Sequence, residues 1–413
     1  MPSFLFLQVQ AEQMPGQNFV DKEDCTMNNF KYSIPTTIYF GKDQLCHLDE
    51  LKNSGSRALL VYGGGSIKRS GLYDAAMKIL QDAGISVTEL SGVEPNPRIE
   101  SVRRGVELCR EHQIEMVLAI GGGSVIDCAK VVAAGACYDG DAWDLVLDGG
   151  KIKKALPVYS VLTLAATGSE MDNFAVISDM SKNEKWGTGS PLVKPVMSIL
   201  DPTYTFTVSQ KQTAAGTADM MSHTFENYFT NVEGAALQGH LCEAVLKTCI
   251  QYGPVALDEP DNYEARANLM WAGSLAINGL LSGGAEVSWC VHPMEHELSA
   301  FYDITHGEGL AILTPVWMRF VLKKDPSKAG RLAEYGRSVW GLAGDDEKVA
   351  EEAIDKTAEF FFRTMRMPEN LRAVGITDKS HFEEMAAKAE AGSQGCFVPL
   401  TKEDIISIYE AAF

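Results

Sequence analysis

The chain has 413 residues, 46% of them apolar and 22% charged, with a formal net charge of −19. That length exceeds one ordinary hydrophobic core and predicts two domains of a globular protein. The acidic balance argues against a nucleic acid partner, which needs a basic face, and against an anionic membrane surface.

Residues 1–26 carry no sustained periodicity and are expected to be a disordered or peripheral leader. Their apolar run at residues 4–7 is too short for the core of an export signal and has no Lys or Arg before it. No stretch reaches the length of a membrane span. The nine cysteines are scattered and form no C-x-x-C pair. They read as reduced thiols, not as a disulfide framework, so the expected location is the cytoplasm.

Residues 36–40 read as the first strand, ending at Gly41. Residues 57–62, RALLVY, are apolar throughout and predict a strand buried on both faces, followed by Gly63-Gly64-Gly65-Ser66. A helix is expected over 70–83, a strand over 86–90, the turn Pro95-Asn96-Pro97, and a helix over 99–113. Residues 115–120 form another buried strand, followed by Gly121-Gly122-Gly123-Ser124 and a helix to about 136. Strand, turn and helix in this repeated order imply a parallel, Rossmann-like sheet covered by helices. Beyond Asp201-Pro202 the pattern changes to helical spacing over 210–229, 234–252, 263–281, 346–365 and 379–391. The expected division is an α/β domain over 27–204 and an all-helical domain over 205–413.

The tetrapeptide Gly-Gly-Gly-Ser occurs twice, each time after a strand. Glycines let a ligand approach the backbone, and the following helix N-terminus favours an anion. One such turn can be a plain connection. Two in one α/β domain point to a dinucleotide, although neither is the G-x-G-x-x-G fingerprint. The loop at Gly121 suits a pyrophosphate best, because it opens a helix directly.

The helical half carries a second pattern. Asp219 and His223 are spaced i, i+4, and so are His292 and His296, with His306 ten residues further on. Each pair shares one helix face. Three imidazoles and a carboxylate suit Fe(II) or Zn(II), whereas magnesium would prefer an all-oxygen set. Each pair alone has an ordinary explanation as a hydrogen-bonded or solvated pair. All five residues together point to a metal centre with one residue left for proton transfer.

These stretches together resemble the iron-containing (group III) alcohol dehydrogenases over about residues 28–410, nearest the butanol dehydrogenases and aldehyde reductases. The resemblance rests on FKYSIPTTIYFG at 30–41, VYGGGSIKRSG at 61–71, Pro95-Asn96-Pro97, GGGSVIDCAK at 121–130, TGSE at 167–170, AAGTADMMSHTFE at 214–226 and HPMEHELSAFYDITHGEG at 292–309. It implies the dehydroquinate synthase-like fold, a homodimer, and Asp219, His223, His292 and His306 as metal ligands. It leaves His296 unligated beside the nicotinamide. It places Gly121, Gly122, Gly123, Ser124 and Asp127 on the pyrophosphate side, Thr163 and Thr167 in the cofactor cleft, and Lys185 near the nucleotide. Gly63, Gly64, Gly65, Ser66, Lys68, Pro95 and Asn96 complete the implied cofactor set. An aspartate at the position of Gly65 goes with NAD in this family. Its absence, with Lys68 and Arg69 close by, predicts NADP(H) in preference to NAD(H). Ser209 stands where the family usually has proline, and serine still caps a helix.

The implied reaction is hydride transfer between NADP(H) and a small aldehyde or primary alcohol, with His296 or a ribose hydroxyl moving the proton. A rival of the same fold is a cyclising lyase of the dehydroquinate synthase type. It would need a basic pocket for a phosphorylated sugar acid, and no Lys/Arg-rich set surrounds the metal motifs. A metal and nucleotide sensor is the non-enzymatic alternative.

Overall fold

The structure, a computed structural model, describes residues 27–287 and 289–413, so the expected leader at 1–26 lies outside the described residues. Eight strands occupy the first half: β1 (Thr37–Phe40), β2 (Arg57–Tyr62), β3 (Ser86–Leu90), β4 (Met116–Gly121), β5 (Val158–Leu162), β6 (Phe174–Asp179), β7 (Glu184–Gly189) and β8 (Met197–Leu200). Between them run the helices α1 (Ser66–Arg69), α2 (Leu72–Asp82), α3 (Ile99–Glu111), α4 (Gly123–Gly135) and α5 (Ala142–Leu147). Six strands form one parallel sheet in the order β1-β8-β5-β4-β2-β3.

The apolar runs are explained by burial on both faces. In β2, Leu59 and Val61 join the core beneath α3 and α4, while Ala58, Leu60 and Tyr62 join the core beneath α2. The chain leaves β2 for β3 on one side and returns to β4 on the other. The strand order therefore reverses between β2 and β4, and the crevice at their carboxyl ends is where doubly wound sheets bind ligands.

The second half is helical, as expected: α6 (Gln210–Tyr228), α7 (Ala236–Asp258), α8 (Tyr263–Ile277), α9 (Val291–Tyr302), α10 (His306–Lys324), α11 (Ala329–Trp340), α12 (Asp346–Glu359), α13 (Phe382–Ala389) and α14 (Lys402–Ala412). Their apolar faces share one core that includes Phe225, Leu246, Leu298, Leu313 and Ile408. Ser209 caps α6, its hydroxyl accepting from Gln212 N. No helix of the described residues is long and apolar enough to cross a membrane.

Two local expectations need correction, and one element was not foreseen. The helix expected over 70–83 is α2, which begins only at Leu72, because Gly71 takes the left-handed region at φ 79° and separates it from the short α1. The helix expected to end at 252 runs on to Asp258 through an internal Pro254. The unforeseen element is a hairpin in which β6 and β7 pair antiparallel, outside the parallel sheet.

Candidate active site

The two glycine loops lie side by side, because β2 and β4 are parallel neighbours. α4 begins at Gly123, so its first amides, including those of Gly123 and Ser124, have no partner within the helix and face the crevice end. Thr163 donates its amide to Gly121 O at 3.0 Å, which sets it beside the loop. Thr167 lies directly on α4: a Cβ at Gly123 would fall 2.2 Å from its Oγ1, so only glycine admits this approach. Asp127 has both carboxylate oxygens engaged inside the domain, by Ser169 Oγ at 2.6 Å and Val176 N at 2.9 Å. Burial raises its pKa to about 6.

Around the first loop, Gly64, Ser66 and Lys68 are exposed, and Gly63 and Gly65 are half-buried. Lys68 is not free. Its ammonium pairs with Glu89 at 3.4 Å and lies over the rings of Tyr62 and Tyr73. Glu89 also accepts from Tyr62 Oη at 2.5 Å and Tyr73 Oη at 2.6 Å. Sequence reasoning missed this carboxylate. Its signal was position: an acidic residue at the carboxyl end of the strand next to the first glycine loop. Pro95 leads into Asn96, whose Nδ2 reaches across to the helical half and donates to Asp303 Oδ1 at 3.2 Å and Ile304 O at 3.3 Å.

The histidine cluster comes from three helices. Asp219 and His223 stand on α6, His292 and His296 on α9, and His306 is the first residue of α10. α10 can approach α6 this closely because a Cβ at Gly307 would lie 2.1 Å from Ala215 O, which excludes any larger residue. Asp219 Oδ1 is 3.6 Å from His223 Nε2, 3.8 Å from His292 Nε2 and 3.7 Å from His306 Nε2. These are not hydrogen bonds. They are near the roughly 3.4 Å that separates ligand atoms on arms of ~2.1 Å, and Asp219, His292 and His306 offer atoms all within 4.8 Å of one another, with His223 adjoining through Asp219. Asp219 Oδ1 and His292 Nε2 are buried without a hydrogen-bond partner among the described residues. Orphaned buried atoms of this kind, converging on one point, fit a divalent ion. Burial lowers the pKa of His223 to about 3, which keeps the imidazole in its metal-binding neutral form.

His296 packs beside this set, its ring centroid 6.1 Å from that of His292 and 5.6 Å from that of His306. Burial, then the charge of Lys185 and the neighbouring imidazoles, pushes its pKa well below the ordinary value. Lys185, on β7, stands against the histidine cluster, with Nζ 3.3 Å from His306 Nδ1 and 3.4 Å from Glu295 Oε2. The hairpin explains this, because β7 packs on α9. Glu226 and Glu295, which stand behind His292 and His306, were also missed as individual residues.

Family models cover both halves of the chain. Residues 35–202 match "Iron-containing alcohol dehydrogenase" and residues 213–413 match the C-terminal model "Fe-containing alcohol dehydrogenase family". The chain belongs to the iron-containing alcohol dehydrogenase family. It is 56% identical over 393 residues to "NADH-dependent butanol dehydrogenase A" of Clostridium acetobutylicum, covering 94% of this chain and 100% of that protein. It is 40% identical over 358 residues to "NADPH-dependent aldehyde reductase YqhD" of Escherichia coli, covering 86% of this chain and 91% of that one. The crystal structure of an NADH-dependent butanol dehydrogenase A from Thermotoga maritima superposes with a TM-score of 0.88 at 37% identity, covering 94% of this chain and 99% of that one. The chain thus shares its family and fold with butanol dehydrogenases and aldehyde reductases.

Proposed function

We propose that this enzyme interconverts small aldehydes and primary alcohols with NADP(H) in preference to NAD(H), at a centre holding one Fe(II) or Zn(II). The carrying observation is the convergence of Asp219 Oδ1 with three histidine Nε2 atoms at 3.6 to 3.8 Å. A bound divalent ion supplies Lewis-acid polarisation of a carbonyl, and a bound nicotinamide supplies or accepts the hydride. The chain's own residues do the rest. The first amides of α4 receive a pyrophosphate. Asp219, His223, His292 and His306 hold the ion. His296 exchanges the proton of the substrate oxygen. Trp289, edge-on to His292 at a centroid distance of 5.1 Å, helps exclude water.

The cofactor preference rests on the first glycine loop. Arg69 is exposed beside Gly65, and Lys68 is the second cation. Lys68 is held by Glu89, so Arg69, whose guanidinium lies beside Gly65, is the cation that would meet a 2′-phosphate first. The named relatives fall on both sides, NADH for the butanol dehydrogenases and NADPH for YqhD.

A lyase of the dehydroquinate synthase type is disfavoured by Lys185, which touches the cluster but is itself paired with Glu295. A homodimer is supported by β1, an edge strand bonded to β8 on one side, with Phe30, Tyr32 and Phe40 exposed around it. A cytoplasmic setting agrees with the eight free thiols among the described residues. The deciding experiment is an aldehyde panel assayed with NADPH and NADH after reconstitution with Fe(II) or Zn(II). Stoichiometric oxidation of NADPH with alcohol formation supports the dehydrogenase. Turnover that leaves the nicotinamide unchanged overturns it.

A further inference from the structure

Three imidazoles face Asp219 through Nε2, so the opposite nitrogen of each ring decides how firmly the ring is held. His292 Nδ1 lies 3.0 Å from Glu226 Oε1. His306 Nδ1 is hydrogen-bonded to Glu295 Oε2. His223 Nδ1 is buried and has no partner among the described residues.

The two carboxylates are placed differently. Glu226 follows Asp219 and His223 on the same face of α6, at the i, i+4, i+7 spacing. It also accepts from the backbone amides at the start of α9, from Cys290 at 2.5 Å, Val291 at 2.9 Å and His292 at 3.1 Å. One carboxylate thus caps α9 and turns the imidazole that α9 carries. Glu295 is wholly buried on α9 itself, where Ser299 Oγ donates to it and Lys185 Nζ approaches at 3.4 Å. The Lys185 ammonium offsets the cost of burying that charge.

We propose that Glu226 and Glu295 are the positioning residues of the metal centre, each holding one ligand imidazole by Nδ1 so that Nε2 is presented to the ion. This rests on the metal reading above. A carboxylate behind a ligating histidine fixes its tautomer and ring orientation and raises its basicity, and losing one costs roughly 10- to 100-fold in metal affinity. The arrangement also ranks the ligands: His292 and His306 are held from behind, and His223 is held by packing alone.

The test uses the full-length protein stripped of metal by a chelator, titrated with Zn(II) in competition with a chromophoric chelator. Co(II)-loaded samples supply an absorption spectrum that reports ligand geometry. Glu226→Gln cannot satisfy both arms, because its amide group meets either the Cys290 amide or the His292 ring as a second donor. Glu295→Gln removes the charge behind His306 and caps no backbone. Both variants should bind Zn(II) roughly 10-fold or more weakly and alter the Co(II) spectrum. A merely structural role would lower the melting temperature of the metal-free protein while leaving affinity and spectrum as in wild type. That result overturns the proposal. If Glu226→Gln fails to fold, Glu295→Gln decides alone. Wild-type protein that binds no Zn(II), or binds it equally well as His306→Ala, overturns the metal reading itself and the proposal with it.

Discussion

Arg98 donates from Nη2 to Asp303 Oδ2 at 2.9 Å, joining the loop after β3 to the turn between the two histidine-bearing helices. Asn96 reinforces the joint through the same carboxylate. Asp303 takes φ 50° and closes α9, and His306 opens α10 three residues later. The pair is partly exposed, so its own stabilisation is at most about 1 kcal/mol. Its value lies in alignment of the nucleotide side with the metal side. Asp303→Asn keeps a residue that tolerates the left-handed region and removes the charge. It should bind metal as wild type does while the KM for nicotinamide cofactor rises several-fold. Loss of metal in this variant would mean that the turn serves the ligands instead.

The proposed roles of His306 and His296 differ in what their loss should do. His306→Ala should lose both bound metal and nearly all aldehyde reduction. His296→Gln should retain one metal per chain while turnover falls by roughly 100-fold, as for a lost acid–base group. Metal analysis alongside kcat decides. Equal metal loss in the two variants would make His296 a ligand.

Glu89 sets the availability of Lys68 through their 3.4 Å contact. Glu89→Gln should release the ammonium for a 2′-phosphate and lower the KM for NADPH, with little change for NADH. The ratio of kcat/KM values for the two cofactors is the readout. An unchanged ratio would show that this corner of the sheet does not read the ribose.

Glu170 predicts a pH dependence of stability. Burial raises its pKa from 4.5 to about 7. Between those values the folded state binds more protons than the unfolded chain, so stability falls as pH rises through this window. Glu170→Gln removes that loss and keeps an acceptor for the Ser274 hydroxyl. The variant's melting temperature should gain on wild type from pH 5 to about pH 7 and level off above it. A constant difference across that range would show that Glu170 does not titrate there.

Much of this was readable because it is written in local spacing. The i, i+4 pairs on α6 and α9 fixed which side chains share a face, and the glycine runs after apolar strands marked the carboxyl ends of β2 and β4. The hairpin was not readable. β7 reads EKWGTG, with two glycines and no apolar alternation, and its partner supplies the missing order. Lys185, placed near the nucleotide by resemblance alone, is carried by β7 to the histidines. Glu89, Glu226 and Glu295 were hidden for a different reason. A segment can mark such a carboxylate, as the strand end does Glu89 and the i+7 spacing does Glu226, but it does not name the partner on another element. Pro254 concealed the last turn of α7, because a proline argues for a helix end even where the surroundings absorb the lost hydrogen bond.

The four ligand positions belong to α6, α9 and α10, so an ion held by them acts as a covalent-like staple from position 219 to position 306. Closing a loop of that length removes conformational freedom from the unfolded chain, and the binding energy becomes folding energy. The second half of the chain contains every atom of that staple, whereas the sheet contributes none. Chelation should therefore loosen the helices first and leave the parallel sheet protected, a sequence of events that amide exchange can follow helix by helix.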